Sequence, residues 1–458
     1  MAPVADELGE RFAAAGHQLA LVGGSVRDAL LGGLGNDLDF TTDARPEVVQ
    51  QLLRGWADHL WDVGIAFGTV GARKGEFVIE VTTYRSEAYD RTSRKPEVTY
   101  GDTLDADLAR RDFTVNAMAV VLPGTTFVDP HGGLTDLALG VLRTPGTPEA
   151  SFSDDPLRML RAARFASQLA FTVAPEVVAA MTAMADRIDI VSAERVREEL
   201  VKLVLSPDPR SGLTLLVDTG LAARVIPELP LLQLEIDEHH RHKDVYEHTL
   251  TVLEQAIDLE GGDVPRPDFV LRFAALMHDV GKPRTRRLEP GGGVSFHHHE
   301  TVGARMTLKR MQALRFSTEV SEDVSRLVEL HLRFHGYGDG DWTDSAVRRY
   351  VRDAGPLLPR LHRLTRADCT TRNRRKAAAL EASYDHLEER IADLESREEL
   401  AAIRPDLDGN QVMAILGIGP GREVGQAMAF LLDLRMERGP LGEDVATDEL
   451  RAWWAARG

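Results

Sequence analysis

Asp37 and Asp39 stand two residues apart in the run Asn36-Asp37-Leu38-Asp39-Phe40, where polar and apolar positions alternate as on a β-strand. Residues i and i+2 of a strand project side by side from one face. The two carboxylates can therefore bridge a pair of divalent ions about 3.5 to 4 Å apart, the clamp that holds the attacking and leaving oxygens in phosphoryl transfer. An Asp-x-Asp pair is also common in solvated or capping loops, so its neighbours decide its meaning. Upstream, Gly23-Gly24-Ser25 closes an apolar run from His17 to Val22 and opens a helix. The free N–H groups and positive dipole end of such a helix suit a triphosphate, and Arg27 falls in its first turn, where it can contact phosphate. No Gly-Lys-Ser or Gly-Lys-Thr follows, so this is not a Walker loop.

A second set recurs every three residues. Asp155, Arg158, Arg161 and Arg164 lie in the amphipathic stretch DPLRMLRAARFASQLAF and would wind slowly round one side of a helix. A carboxylate accepting from an exocyclic amino group, beside an arginine donating to a ring nitrogen, would choose cytosine and adenine; uracil and guanine present the reverse order on that edge. The plain alternative is an i, i+3 surface ion pair worth under ~1 kcal/mol.

The motifs GGSVRDALLG, NDLDF and RRDFTVNAMA (110–119) together resemble the tRNA nucleotidyltransferase and poly(A) polymerase family of the polymerase-beta superfamily, in its bacterial class II form. The likeness continues through SDDPLRMLRAARFASQLAF and, more weakly, to LDGNQVMAILGIGPGREVG near the end. It implies that Asp37 and Asp39 bind Mg2+, and that Gly24 and Arg27 contact the nucleotide phosphates. It also puts Arg110, Arg111, Asp112 and Asn116 among the nucleotide-binding residues, with Arg111 the preferred arginine; the alternative is a helix-start ion pair with Asp112. Asp155 and Arg158 match the family's protein template for the base, leaving Arg161 and Arg164 for phosphate or base. Asp154 departs from the family's glutamate by one methylene. Glu80, on the opposite strand face from Phe77, Ile79 and Val81, is a candidate third catalytic carboxylate or else a surface residue.

Further on, Ala274 to Pro283 resembles the HD phosphohydrolase signature, in which adjacent His278 and Asp279 help bind a second divalent metal. His248 and Asp368 complete the expected ligand set, with His299 and His331 as further candidates. Imidazoles and a carboxylate can hold a metal and leave positions for water and phosphate. The resemblance implies phosphodiesterase or phosphatase chemistry, present in some members and absent from others. The alternative is a retained scaffold with His278 bonded to Asp279. His239, His240 and His242 open this His-rich region, and His297 and His298 are expected to be exposed.

The elements that must position these groups begin with a helix over residues 3–15, the strand ending at Val22, and a helix from Ser25 to Leu31. A helix starts near Pro46, and a hairpin joins Phe67 to Lys74 with Glu76 to Tyr84. The polar segment 85–105 lacks periodicity and reads as a moving loop; in the family, 86–101 is where base choice is coupled to the stage of addition. From about Ser151 helical spacing dominates. The expected fold class is α+β: a polymerase-beta-type nucleotidyltransferase head (1–150), then an all-helical body. That body comprises a nucleotide- and RNA-binding neck (151–230), an HD-like domain (231–370) and a C-terminal tRNA-binding region (371–458).

Composition bounds the rest. With 72 acidic and 54 basic side chains the net charge is -18, so any polyanion must meet a local basic patch. Residues 345–376 carry ten Arg or Lys against two Asp and are the expected RNA contact; residues 381–458 carry eight Arg against 17 acids. The single cysteine, Cys369, excludes an internal disulfide, and neither a signal peptide nor a membrane span is visible, so the cytoplasm is the expected location. The expected activity is addition of CCA to the tRNA 3′ end from CTP and ATP. The rivals are a poly(A) polymerase, a CC-only or A-only enzyme, and an HD phosphohydrolase whose head only binds RNA.

Overall fold

The computed structural model describes residues 3–33, 35–62, 68–85, 101, 103–234, 244–290, 293–337, 342–371, 373–398 and 403–457. Segment 86–100 and His239, His240 and His242 lie outside the described residues. The chain forms two compact units, Met1–Pro227 and Glu228–Gly458.

The first unit is built on a seven-stranded sheet: β1 (Leu19–Val22), β2 (Asp37–Thr42), β3 (His59–Trp61), β4 (Thr69–Lys74), β5 (Phe77–Thr83), β6 (Ala119–Leu122) and β7 (Thr126–Val128). Their order is β3-β4-β5-β2-β1-β6-β7. Only β2 and β5 run parallel, in a register that sets Asp39 opposite Glu80. The aromatic and β-branched runs Phe77-Val78-Ile79 and Val81-Thr82-Thr83 favour the pleated conformation, and the expected hairpin of β4 and β5 turns at Gly75. Leu38, Phe40, Ile79 and Val81 are buried, while Asp37, Asp39 and Glu80 are exposed on the other face.

Around the sheet lie α1 (Pro3–Ala14), α2 (Gly24–Leu30), α3 (Pro46–Leu53), α4 (Leu104–Ala109) and α5 (Gly133–Leu139). Leu104 and Leu108 of α4 pack on Ala20, Val22, Ala119 and Val121. The neck follows as α6 (Pro148–Asp154), α7 (Leu157–Leu169), α8 (Pro175–Ala183), α9 (Ala193–Val204), α10 (Pro209–Asp218) and α11 (Ala222–Val225).

One expectation is corrected here. Asp155 does not share a helix with Arg158, Arg161 and Arg164, because it sits in extended conformation between α6 and α7. Pro156 is the cause: its ring disfavours the helical region for the residue before it. The Asp155 carboxylate then accepts the N–H of Leu157 at 3.1 Å and caps the new helix.

Among the described residues, the second unit is helical apart from one two-residue strand pair, Arg287–Leu288 with Val294–Ser295. Its helices are α12 (Val245–Asp258), α13 (Phe269–Met277), α14 (Lys282–Thr285), α15 (His299–Ala313), α16 (Thr318–Leu330), α17 (Asp344–Ala354), α18 (Leu358–Ala367), α19 (Arg374–Glu398), α20 (Gly409–Leu416), α21 (Arg422–Arg438) and α22 (Glu443–Ala455). Buried Tyr384, Leu387, Ile391 and Leu394 recur at three- and four-residue steps along α19, the stripe of a helix packed on one side. Leu407, Val412, Ala427, Leu431, Ala446 and Leu450 give α20–α22 a small core of their own. Among the described residues no helix is long and apolar enough to cross a membrane.

The basic stretch is not the open patch expected from its charge. Arg348 grips Glu398 with two nitrogens at 2.7 and 2.8 Å and donates to the carbonyl of Met436 at 3.0 Å. Arg349 pairs with Glu437, Arg360 with Asp268, and Arg366 with Asp385 and Glu388. Three of the ten basic residues, Arg348, Arg349 and Arg366, thus pair with the acidic run that follows in sequence, whereas Asp268 precedes its partner Arg360. Arg374, Arg375 and Lys376 at the start of α19 stay exposed.

Candidate active site

On the carboxylate face of the sheet, Asp37 and Asp39 come from β2 and Glu80 from β5, opposite Asp39. The Ser25 hydroxyl stitches this strand to α2, donating to the Asp37 carbonyl at 3.1 Å and accepting the Asp39 N–H at 3.0 Å. Gly23 makes the turn with φ 70°, and a Cβ there would lie 2.9 Å from Nη1 of Arg111 and 3.8 Å from Oδ2 of Asp39. The glycine therefore serves conformation and clearance together. Partial desolvation pushes the Asp39 carboxyl above its usual range; the charge of Arg111 opposes this, Asp37 adds to it and Arg27 opposes it. Glu80 is raised by desolvation, then by Asp39 and Asp37. Three oxygen donors that disfavour one another's charge fit a hard divalent cation, whose binding would remove the repulsion.

Arg27 is 4% exposed. Its guanidinium donates to Asn116 Oδ1 at 2.7 Å and Asp28 Oδ1 at 2.8 Å. Asn116 in turn donates to Asp112 Oδ1 at 3.0 Å. Neither Arg110 nor Arg111 pairs with Asp112: both donate to buried Asp107, at 3.1 and 3.2 Å. Asp112 instead accepts from Arg161 Nε at 2.8 Å, and although burial alone would raise its pKa, Arg161 and Asn116 hold it far below the carboxylate range. Arg164 lies 2.9 Å from buried Glu199 and 4.0 Å above the Phe165 ring; desolvation lowers its pKa to about 10. The same ring carries Arg27 and Arg161 at 5.2 and 5.4 Å.

Asp155 and Arg158, the pair expected from the sequence to read the base, have polar atoms engaged within the protein. Arg158 donates to the Ser151 carbonyl at 3.2 Å, the Ser151 hydroxyl at 3.0 Å and the Arg110 carbonyl at 2.5 Å. Asp155 accepts from Arg195 at 2.7 Å. Ser25, Asp107, Arg195 and Glu199 were not singled out by sequence reasoning. Ser25 could have been, from its place in the Gly-Gly-Ser turn; the other three act through residues brought near by the fold.

The second cluster is in the helical unit. The signature supplies His278 and Asp279 just after α13, joined by His248 (α12), His299 (α15), His331 (after α16) and Asp368 (after α18). The ligand atoms of His248, His278 and Asp368 lie within 4.8 Å of one another, as do those of Asp279, His299 and His331. Each imidazole is oriented through Nδ1: His278 to the Ala275 carbonyl at 2.8 Å, His299 to Phe296 at 2.9 Å, His331 to Val328 at 2.6 Å and His248 to the Thr370 hydroxyl at 3.1 Å. That turns Nε2 inward, the usual way of fixing a metal-binding imidazole. Among the described residues, Nε2 of fully buried His331 has no hydrogen-bond partner. The helix carrying His299 approaches closely only because residue 281 is glycine, since a Cβ there would stand 2.1 Å from the His299 carbonyl.

Burial would lower the His278 pKa, but Asp279 and Asp368 raise it to about 9; burial and the charge of His278 lower His331 to about 3. Lys282 donates to Asp279 at 2.8 Å. A donor set of imidazoles and carboxylates with a buried unpartnered nitrogen fits a divalent transition metal. His297 and His298 are exposed, as expected.

Comparison with known proteins agrees with this division. Residues 19–143 match the family model for the Poly A polymerase head domain, 170–232 that for the probable RNA and SrmB-binding site of polymerase A, and 245–373 the HD domain. The chain is 35% identical over 453 residues to the A-adding tRNA nucleotidyltransferase of Deinococcus radiodurans, covering 95% of both proteins. It is 43% identical to the CCA-adding enzyme of Levilactobacillus brevis over 208 residues, 45% of this chain and 51% of that protein. The crystal structure of the Bacillus stearothermophilus CCA-adding enzyme in complex with CTP superposes with a TM-score of 0.70 at 24% identity, covering 100% of this chain and 99% of that one.

Proposed function

Since the chain belongs to the tRNA nucleotidyltransferase and poly(A) polymerase family, with a polymerase-beta-type head and an HD domain, we propose that it adds CCA to the 3′ end of tRNA in the cytoplasm, taking CTP and then ATP without a nucleic-acid template. The observation that carries this reading is the face on which Asp37, Asp39 and Glu80 meet the Gly23 turn and Arg111. Asp37 and Asp39, with Glu80 beside them, would hold Mg2+, which when bound supplies charge neutralisation at the attacking and leaving oxygens. Gly24, Arg27 and Arg111 serve the triphosphate, with Arg110, Asp112 and Asn116 around them. Asp155 accepts from the exocyclic amino group of C or A, and Arg158 donates to the ring nitrogen. Arg161 and Arg164 hold this wall in place through Asp112 and Glu199. Residues 1–150, 151–230, 231–370 and 371–458 are the corresponding head, neck, HD-like and C-terminal tRNA-binding parts.

A second product is favoured by one observation: a relative matched over 95% of both chains is an A-adding tRNA nucleotidyltransferase. Extension of tRNA lacking CCA and of tRNA ending in CC, with the product ends sequenced, separates the two. CCA on the first substrate supports the main reading, A on the second alone supports the other, and extension of neither refutes both.

For the second unit we infer a metal site of His248, His278, Asp279 and Asp368, with His299 and His331 facing it. A divalent ion there would supply Lewis acidity toward a phosphoryl oxygen. Hydrolysis of a 2′,3′-cyclic nucleotide that survives His278→Ala would refute this ligand set.

A further inference from the structure

We propose that Asp107 is a positioning residue for nucleotidyl transfer: its buried carboxylate fixes the Arg111 guanidinium over the Gly23 turn, so that the remaining donors of Arg111 meet the incoming triphosphate. The proposal rests on the reading of the head as a nucleotidyltransferase.

Asp107 lies in α4 with its side chain 0% exposed. A carboxylate in such a place is stable only if its oxygens are satisfied, and they are. Oδ1 accepts from Arg110 Nε and Nη2 at 3.2 and 3.1 Å, with the N–H of Arg85 at 3.4 Å. Oδ2 accepts from Arg111 Nη2 at 3.2 Å and from the Thr41 hydroxyl at 3.1 Å. Thr41 follows Asp37 and Asp39 at two-residue steps along β2, so one carboxylate is keyed both to the catalytic strand and to the arginine pair.

The consequence falls on Arg111. Its guanidinium is a planar, rigid fork, so fixing one nitrogen fixes the direction of the others. With Nη2 on Asp107, Nη1 comes to 2.9 Å from where a Gly23 side chain would begin, beside Asp39. Nε is buried and, among the described residues, without a hydrogen-bond partner. A donor so placed, next to the oxygens that would hold metal, awaits an anionic acceptor, and a triphosphate drawn to that metal brings one. Asp107 touches neither substrate nor metal in this scheme and acts through Arg111.

The test is nucleotide binding by titration calorimetry, together with steady-state KM and kcat, for wild type, Asp107→Asn, Arg111→Lys and the double variant. Asp107→Asn should raise KM and the nucleotide dissociation constant about tenfold and change kcat less than about threefold, because orientation is lost before chemistry begins. The double variant should be no worse than Arg111→Lys alone, since one residue works through the other. A wild-type KM in Asp107→Asn, or effects that simply add in the double variant, overturns the proposal. If Asp107→Asn does not fold, Asp107→Glu keeps the charge and displaces the fork by one methylene; a folded Asp107→Glu with wild-type KM overturns it equally. A wild-type protein that neither binds nor incorporates nucleotide instead removes the reading of the head on which the proposal stands.

Discussion

The two clusters of metal-capable side chains are held in opposite ways. In the head, Asp37, Asp39 and Glu80 are positioned by the register of two strands, and their carboxylates lie exposed on one sheet face. In the helical unit each imidazole is turned by a hydrogen bond at Nδ1, and His278, His331 and Asp279 are almost wholly buried. An open oxygen face suits a hard ion that keeps its waters and comes and goes with a nucleotide. A buried nitrogen-rich cage suits a borderline ion that stays. The difference teaches that coordination chemistry and exchange rate are written into the supporting elements as much as into the ligands.

The comparison can be broken or sharpened by experiment. Asp39→Ala should reduce nucleotide incorporation by at least ~10³-fold, since a lost metal ligand removes transition-state charge stabilisation. Metal retained in the helical unit, measured by elemental analysis of the dialysed variant, should be unchanged; its loss would show that the two sites are not independent. Arg158→Ala should cost about 1 to 3 kcal/mol of discrimination between C or A and U or G, the worth of one good paired contact. Incorporation assays with all four triphosphates read this directly, and unaltered selectivity would remove Arg158 from base reading.

The third prediction concerns pH. Asp39 and Glu80 have folded-state values above their ordinary ones, so their ionisation opposes folding: the stability tied to the protonated forms is present at low pH and lost as pH rises through the raised values. Asp107 has the opposite sign: although burial alone would raise it, Arg111 and Arg110 hold it low, and its contribution is lost only as pH falls below about 4. Mg2+ should therefore raise the melting temperature more at pH 7.5 than at pH 5, because protons compete for the same oxygens at the lower pH. Equal Mg2+ effects at both values, by differential scanning fluorimetry, would contradict the shifts.

The smallest effect belongs to the surface. Arg349→Ala, which breaks an exposed pair with Glu437, should cost under ~1 kcal/mol. Removing buried Arg348 leaves Glu398 without its two-pronged partner and should cost about 3 kcal/mol or more by urea unfolding.

Much of the head was legible in the sequence because strands declare themselves by alternation: Asp37, Asp39 and Glu80 could be assigned a face from Leu38, Phe40, Ile79 and Val81. The break at Asp155 was also written there, in Pro156, but the three-residue spacing of the arginines masked it. The pairing of Arg161 with Asp112, the gathering of Arg110 and Arg111 by Asp107, and the burial of Glu199 were not legible. Each depends on which oppositely charged group the fold brings close, and one sequence offers many. The ion pairs within the basic stretch at 345–376 were hidden for the same reason, since a charge count does not say where the countercharges lie.

That stretch has a history in time as well as a place in space. Arg348 is synthesised 50 residues before Glu398 and 88 before Met436, its partners. At about 5 to 20 residues per second, Arg348 waits on the order of 2.5 to 10 s beside the ribosome, a polyanion, before the Glu398 carboxylate is made. The acidic C-terminal segment thus supplies countercharge to Arg348, Arg349 and Arg366 only after those arginines have been made, whereas Arg360 finds Asp268 already in the chain.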